Sequence, residues 1–243
     1  MNLIIEQGNT KLKVAVSDCG KIISFTCLDR DEISAVKDII KQYHPTQGII
    51  SSVVDTDESL GVYLKEHMKY LLWLEGHTPV PIRLEYETKE TLGRDRIAVA
   101  VGANCLQPGR NLLVIDAGTA ITYEVIESSG VYKGGNISPG MTTRFRALHQ
   151  FTERLPLLKE KEEVPLIGTS TESAILAGVV NGIVYEMDGH IDLLKAKYDD
   201  IFVFLTGGHS FYFERRLKNH IFADANLVLI GLNRILEYNA EKN

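Results

Sequence analysis

The sequence is poor in cysteine, and its three cysteines, Cys19, Cys27 and Cys105, form no C-x-x-C pair. An odd number of scattered cysteines supports neither a disulfide framework nor a zinc site. We therefore expect reduced, mostly structural thiols in a cytoplasmic protein. The histidines also lack metal-ligand spacing, so His149 and His209 are expected to be surface or core residues rather than catalysts.

Two further absences narrow the range of functions. No apolar run approaches the ~20 residues of a membrane-spanning helix, and the N-terminus enters a strand without the basic and apolar regions of a signal peptide. The formal net charge is −6 over 243 residues, which offers no basic field to nucleic acid or to an anionic membrane. We expect neither as a partner, and any phosphate binding has to be local.

What the sequence does contain is an internal repeat. The eight residues from Leu3 to Thr10 align with those from Leu113 to Ala120, so that Glu6 falls on Asp116. In each copy three consecutive apolar residues, typical of a strand buried on both faces, precede an acidic residue and a glycine turn. Each copy therefore predicts a β-hairpin that carries a carboxylate near its tip.

Two such tips indicate a cleft between related lobes that binds a polyanion together with a metal ion. Glycine turns offer backbone N–H groups and hydroxyls to phosphate, and carboxylates hold cations directly or through water. For one copy alone, an ordinary hairpin with an acidic turn residue is an equal alternative. Two copies in register argue against that alternative.

The rest of the pattern predicts an α/β fold of two similar lobes, over residues 1–111 and 112–243, each a mixed sheet flanked by helices. Strands are predicted at 21–28, 48–54 and 201–205. Helices are predicted at 31–43, from about 57, and at 97–106, 141–155, 169–197 and 227–238. Pro156 is expected to end the helix that begins at residue 141.

The longest predicted helix has two notable features. Thr169 and Glu172 have the spacing of a capping box, which places Thr171 at a helix N-terminus, where an anion could be received or where the hydroxyls only cap the helix. Ala174, Gly178 and Gly182 form a stripe of small residues, which predicts close packing against the core or another subunit.

Three further segments are candidate binding elements. The charged cluster of residues 93–96 directly precedes the Ala-rich helix, and a solvated helix start is its simple interpretation. The glycine-rich loop of residues 134–140 could line a binding surface or only turn the chain. Gly207 and Gly208 could admit a flat nucleotide base against the backbone.

Taken together, these motifs resemble the type III pantothenate kinases of the acetate and sugar kinase, Hsp70 and actin superfamily. The resemblance covers essentially the whole chain. Its marks are Glu6-Gln7-Gly8-Asn9-Thr10-x-x-Lys13, Tyr86 before Gly93-Arg94-Asp95-Arg96, Asp116-Ala117-Gly118-Thr119, Gly134-Gly135-x-Ile137-x-Pro139-Gly140, the Thr171 segment and Thr206-Gly207-Gly208.

The resemblance implies ribonuclease H-like (actin-like ATPase) lobes, a homodimer, and transfer of the γ-phosphoryl group of ATP, with Mg²⁺, to the 4′-hydroxyl of pantothenate. It implies that Asp95 is the general base and that Asp116 holds a monovalent cation, K⁺ or NH₄⁺. The implied ATP-binding residues are Glu6, Gln7, Gly8, Asn9, Thr10, Lys11, Leu12, Lys13 and Thr119. The implied pantothenate-binding residues are Tyr86, Gly93, Arg94, Asp95, Arg96 and Thr171.

Two positions depart from the family pattern. Glu6 stands where the family usually has Asp, and its extra methylene shifts the carboxylate by more than an ångström relative to ATP and Mg²⁺; Asn136 stands where a small apolar residue is usual. A catalytically inactive relative of the Bvg accessory factor type is therefore the alternative function. A kinase for a sugar or small acid is disfavoured, because residues 93–96 follow the pantothenate pattern and the chain has little length for a sugar-binding insertion.

Overall fold

The structure is a computed structural model that describes residues 1–8, 11–52 and 58–242. The chain forms two compact units. Unit 1 contains residues 1–108 and 130–132 and the C-terminal segment from Asn226, and unit 2 contains residues 109–129 and 133–225.

Strands and helices alternate along most of the chain. The strands are β1 (Asn2–Gln7), β2 (Lys11–Asp18), β3 (Lys21–Asp29), β4 (Gln47–Ser52), β5 (Tyr70–Trp73), β6 (Arg83–Leu84), β7 (Leu112–Ala117), β8 (Ala120–Glu127), β9 (Val131–Pro139), β10 (Phe202–Thr206) and β11 (Phe222–Ala223). The helices are α1 (Ile33–Tyr43), α2 (Glu58–His67), α3 (Arg94–Leu106), α4 (Met141–Gln150), α5 (Thr171–Lys197), α6 (Ser210–Glu214) and α7 (Leu227–Ala240).

The sheet of unit 1 has the strand order β3-β2-β1-β4-β5. The first three strands are antiparallel, whereas β4 and β5 run parallel to β1 because helices α1 and α2 carry the chain back to the same edge. Glu6, near the end of β1, lies opposite Lys13 of β2 and Ser51 of β4.

The second sheet has six strands in the order β6-β9-β8-β7-β10-β11, and the last five repeat this arrangement. Strand β8 is antiparallel to the central strand β7, whereas β10 and β11 are parallel to β7. Asp116 lies opposite Thr122 of β8 and Thr206 of β10, the positions that correspond to those around Glu6. The α/β fold of two similar mixed sheets flanked by helices, predicted from the repeat, is confirmed.

Each unit has its own hydrophobic core. In unit 1 the central strand and its neighbours pack against α1 and α2 through Leu3, Ile5, Val36 and Leu64. In unit 2 the central strand packs against α4 and α5 through a larger set that includes Phe145. The apolar runs of β1 and β7 are at most 1% exposed, as expected for strands covered on both faces.

Several boundaries differ from the predicted ones. Helix α3 begins at Arg94 instead of residue 97, and α4 ends at Gln150 instead of residue 155. Just beyond that end, the Thr152 hydroxyl donates to the Leu148 carbonyl (2.6 Å). The predicted end of the 48–54 strand and the start of the helix near 57 lie outside the described residues.

The cap of α5 was also wrongly predicted. Its N-cap is Ser170, not Thr169, and the capping box joins Ser170 to Ser173. Ser170 Oγ accepts from the Ser173 amide (3.2 Å), and Ser173 Oγ accepts from the Ser170 amide (2.9 Å). Glu172 instead lies 3.8 Å from the Lys161 ammonium. The capping box is thus completed by the hydroxyl of Ser173 at the third helical position, and not by the carboxylate of Glu172 as predicted.

The C-terminal helix α7 belongs to unit 1. The sequence-based prediction instead placed this helix in the second lobe, over residues 112–243. Helix α7 crosses α3 at glycines on both helices. A Cβ on Gly231 would lie 1.8 Å from the Ala98 carbonyl oxygen, and one on Gly102 would lie 2.3 Å from the Leu227 carbonyl oxygen. The two backbones are therefore in direct contact at this crossing.

The expectation of mostly structural thiols was wrong, because Cys19, Cys27 and Cys105 are all exposed, and all three are free. No helix in the described ranges combines the length and the apolar character needed to cross a membrane.

The helix crossing in unit 1 yields a stability prediction. We expect Gly231→Ala to lower the free energy of unfolding by about 1–3 kcal/mol, because the new methyl meets main chain that cannot rotate away. Gly61→Ala is the control, since its Cβ would lie 3.8 Å from the Trp73 ring, an ordinary contact. The control should gain about 0.5–1 kcal/mol in helix propensity. Urea unfolding measures both, and equal effects would contradict the packing argument.

Candidate active site

The turn of the first hairpin joins β1 to β2 in unit 1. Lys13 Nζ lies 2.8 Å from Glu6 Oε2, across the antiparallel pair. The Gly8 amide donates to the Lys11 carbonyl (3.0 Å), which closes the turn. The carboxylate that the repeat predicted at this tip is thus already paired with a cation.

The other residues implied for ATP binding in this hairpin have different surroundings. Lys11 forms an ion pair with Asp29 of β3 (2.6 Å), and this hydrogen bond raises the pKa of the Lys11 ammonium. The Leu12 side chain is 1% exposed and belongs to the core. Asn9 and Thr10 lie outside the described residues.

A hydrogen-bonded path connects the end of β1 to the start of α3. Gln7 Oε1 accepts from the Ser52 hydroxyl (3.2 Å), and the Ser52 carbonyl accepts from the Arg94 guanidinium (2.6 Å). The ends of the parallel strands β1 and β4 meet at the same edge of the sheet, which is why a residue 42 positions away reaches Ser52. Gln7 and Arg94, predicted from separate motifs, are therefore brought together.

The charged cluster forms the first turn of α3, after the N-cap Gly93. Asp95 Oδ1 accepts from the Arg96 amide (2.9 Å), and Asp95 is exposed. A carboxylate is favoured at this end of a helix by the unpaired N–H groups and the helix dipole. The helix start therefore fixes the position of the carboxylate without burying it.

Arg96, by contrast, is only 5% exposed. Its guanidinium carbon lies 5.7 Å from the centre of the Tyr86 ring, within the range of a cation–π contact. The Tyr86 ring in turn lies 6.2 Å from that of Tyr132. Tyr86 and Arg96, both implied for pantothenate binding, therefore share one small cluster in unit 1.

The second hairpin, in unit 2, is also closed by a glycine amide, but its acceptor lies two residues further along the chain instead of three. The Gly118 amide donates to the Ala120 carbonyl (3.0 Å). A Cβ on Gly207, whose φ is +92°, would lie 2.3 Å from Asp116 Oδ1. The predicted nucleotide turn at Gly207 therefore packs directly against the carboxylate implied for the cation.

Polar atoms without a partner lie beside this contact. Among the described residues, the buried hydroxyls of Thr206 and Ser210 and Nδ1 of His209 form no hydrogen bond. A buried polar group without a partner costs free energy, which a bound ligand or water would recover. His209 is therefore neither an ordinary surface residue nor a satisfied core residue, contrary to the sequence-based expectation.

A charged network in unit 2 was missed from the sequence. The Arg144 guanidinium and the Tyr123 phenol (2.8 Å) both donate to the Glu186 carboxylate. Burial would raise the pKa of Glu186, but hydrogen bonds from Arg144, Tyr123 and Ser138 hold that pKa below its ordinary value. Burial, followed by the hydrogen bond to Glu186, raises the pKa of the Tyr123 phenol. No local signal could have revealed partners 42 and 63 residues apart.

Thr171 is exposed at the first position of α5 and lines a cavity of about 760 Å³ within unit 2. The cavity is walled by α4, α5 and the segment after α4, and Arg144 is the only charged residue among its described lining residues. The other lining residues are Ala147, Leu148, Leu155, Ala174, Ile175, Gly178 and Val179. A mostly apolar cavity with few polar groups is typical of a small-molecule site.

Comparison with known proteins agrees with this set of motifs. The sequence profile of type III pantothenate kinase matches residues 2–193. A type III pantothenate kinase of Bacteroides fragilis is 48% identical over 239 residues, which make up 98% of this chain and 98% of that relative. The chain belongs to the type III pantothenate kinase family. The family membership implied by the motifs is confirmed.

Two solved structures show the same fold. A Campylobacter jejuni protein named as a Baf family transcriptional activator is 22% identical, with a TM-score of 0.61 over 98% of this chain and 99% of that one. A ROK family glucokinase from Streptomyces griseus, in complex with glucose and AMPPNP, is 12% identical, with a TM-score of 0.52 over 98% of each chain. At these identities the likeness establishes only the shared fold, the actin-like two-lobe fold that the resemblance implied.

Proposed function

We propose that this chain transfers the γ-phosphoryl group of ATP to the 4′-hydroxyl of pantothenate, the first step of coenzyme A biosynthesis. Family membership over nearly the full chain supports the reaction. The observation that carries it in the structure is the start of α3, where Asp95, Arg96 and Tyr86 are gathered by one turn of helix and one aromatic contact. No described contact favours the inactive alternative.

In this proposal Asp95 is the general base. Its carboxylate is accessible, and its hydrogen bond to the Arg96 amide orients it from the helix start. It would accept the proton of the pantothenate hydroxyl as the bond to phosphorus forms. Phosphoryl transfer depends mostly on alignment and on charge stabilisation, so a rigidly mounted base suits it.

ATP binding is assigned within each unit to its own hairpin, in unit 1 to the residues from Glu6 to Lys13 and in unit 2 to Thr119. The Lys13 side chain is 41% exposed, which leaves it accessible to a phosphate oxygen. The carboxylate oxygens of Glu6 suit Mg²⁺, a hard cation that accompanies ATP. Bound Mg²⁺ would neutralise phosphate charge during transfer.

The monovalent cation, K⁺ or NH₄⁺, is assigned to Asp116. The fit rests on the donor atoms at this position: a carboxylate beside Gly207, and the unpartnered hydroxyl of Thr206 on the adjacent strand. Oxygen atoms are the ligands that such cations prefer. Asp116 would thereby hold positive charge next to the second hairpin.

Pantothenate is assigned to Tyr86, Gly93, Arg94, Asp95 and Arg96 of unit 1 and to Thr171 of unit 2. The buried guanidinium of Arg96 suits the carboxylate of the substrate. Thr171 adds a hydroxyl at a helix N-terminus, where N–H groups also favour an anion.

The cytoplasmic location expected from the sequence stays a prediction.

The homodimer is assigned to one face of α5. A Cβ added at Gly178 or at Gly182 would meet no atom of the described residues within 4 Å, so the small-residue stripe does not pack within its own chain at these two positions. Tyr185 and Leu193 continue this face at helical spacing, and they are 60% and 72% exposed. Large apolar side chains exposed in a row are typical of an interface.

The decisive assay is ADP production by the purified protein with ATP, Mg²⁺ and pantothenate, in buffers whose only monovalent cation is potassium or sodium. We expect turnover that requires pantothenate and is much faster in potassium, because Asp116 is assigned to that cation. A folded protein that binds ATP but turns over in neither salt would support the regulator alternative. Glu6 would then be the first residue to replace, by Asp.

The role of Asp95 is tested with Asp95→Asn. The amide oxygen can still accept from the Arg96 amide, so the helix start is kept. We expect kcat to fall about 10²- to 10⁴-fold, with both substrates still bound. Glu87→Gln removes one charge from an exposed neighbour of Tyr86 and should leave kcat unchanged. Near-normal turnover of the Asp95 variant would remove Asp95 from the mechanism.

The dimer is tested by sedimentation. We expect a mass of twice 27.1 kDa for the wild-type protein, and dissociation by Gly182→Arg, because this substitution places a large charged side chain on the face assigned to the interface. Val62→Arg places the same charge on an exposed apolar position of α2 and should leave the dimer intact. A wild-type mass of one chain at micromolar concentration would contradict the proposal.

A further inference from the structure

The turn of the second hairpin is held by the start of α4. The Thr119 carbonyl accepts two hydrogen bonds, from the Gly140 amide (3.0 Å) and from the Thr143 hydroxyl (2.7 Å). A Cβ on Gly140 would lie 2.2 Å from the Gly118 carbonyl oxygen, so the two segments are in backbone contact. Thr143 is the one side chain among these four residues that reaches across to the Thr119 carbonyl.

The start of α4 is itself anchored by Arg144. Its Nε donates to the Pro139 carbonyl (2.8 Å), and one terminal nitrogen donates to the Ser138 hydroxyl (2.9 Å) and to the Glu186 carboxylate. Glu186 lies on α5, in the middle of the longest helix of the chain. A guanidinium has donors in a fixed planar fork, so these three acceptors together set its orientation. The residues that contact the turn are therefore mounted on a rigid helix.

Holding the Thr119 carbonyl also orients the next amide. The peptide bond is planar, so the carbonyl oxygen of Thr119 and the N–H of Ala120 point in opposite directions in one plane. A donor that fixes the oxygen therefore fixes the direction of that N–H group. In a turn whose N–H groups and hydroxyl face a polyanion, this direction decides how many of them can reach phosphate together.

We propose that Thr143 is a positioning residue for the nucleotide, which acts by holding the peptide between Thr119 and Ala120 in the orientation that binds phosphate. This inference rests on the proposed assignment of Thr119 to ATP. Thr143 itself does not need to touch the nucleotide. The hydrogen bonds of Arg144, including the one to Glu186, hold the start of α4 on which Thr143 lies. The position is distinct from every residue that the sequence motifs implicated.

Two variants separate the hydroxyl of Thr143 from its shape. Thr143→Val keeps the branched side chain and removes the donor, whereas Thr143→Ser keeps the donor and removes the methyl. For Thr143→Val we expect the KM for ATP and the dissociation constant of a non-hydrolysable ATP analogue to rise about two- to tenfold, the effect of one lost hydrogen bond. The KM for pantothenate should change less than about twofold. Thr143→Ser should stay close to the wild type in all three quantities.

The outcomes distinguish the inference from the proposed function. Unchanged ATP affinity in Thr143→Val, or equal losses in the Val and Ser variants, would overturn the positioning role. A wild-type protein that binds the analogue without phosphorylating pantothenate would refute the proposed function, while the binding comparison would still decide the role of Thr143. If Thr143→Val does not fold, by its thermal unfolding curve, Thr143→Ala provides the same loss of donor.

Discussion

The structure depends on two central strands that cannot move within their sheets. Strands β1 and β7 each have an antiparallel neighbour on one side and a parallel neighbour on the other. Their apolar runs are covered on both faces, and a shift by one residue would turn every side chain to the opposite face. The acidic residue that follows each run, Glu6 or Asp116, is therefore fixed in register at the same edge of its sheet.

The two hairpins differ in how their surroundings hold them. The first is tied by side chains, through Lys13 to Glu6 and through Ser52 to Gln7. The second is tied on both sides by main chain, because Gly140 contacts it from one loop and Gly207 from another. Side chains change rotamer on a short timescale, whereas packed main chain moves only if the loops move. The same strand order therefore supports one hairpin held by side-chain contacts at its strands and one held by main-chain contacts at its turn.

The two hairpins could be predicted from the sequence because a buried strand followed by an acidic residue and a glycine is a local pattern. The sequence also predicted the fold class and most helices for the same reason. It placed the start of α3 three residues too late, because Arg94 and Arg96 look like solvated charges. Arg96 is in fact buried, and its guanidinium lies over the ring of Tyr86, ten residues earlier in the chain.

The contacts that decide the geometry of the site were beyond such local patterns. The pairing of Arg144 with Glu186 joins two helices, and nothing in either helix indicates the other. The cap of α5 was misassigned because Thr169 and Ser170 are both good caps, and the hydroxyl of Ser173 completes the capping box with Ser170. Likewise, the C-terminal helix joins unit 1 because two glycines, far apart in the sequence, allow α3 and α7 to touch.

The ion pair between Glu6 and Lys13 bears on how the first hairpin can bind a polyanion. A lone carboxylate at this turn would repel the phosphates of ATP, and a lone ammonium would attract them without a place for Mg²⁺. The pair has no net charge, and its two members face each other across the strands at 2.8 Å. The Lys13 side chain is 41% exposed and that of Glu6 19%, so the pair can separate at small net cost only if each member gains a new partner. In the proposed ATP site the carboxylate of Glu6 would exchange the Lys13 ammonium for Mg²⁺ on the phosphates, a cation that prefers oxygen ligands.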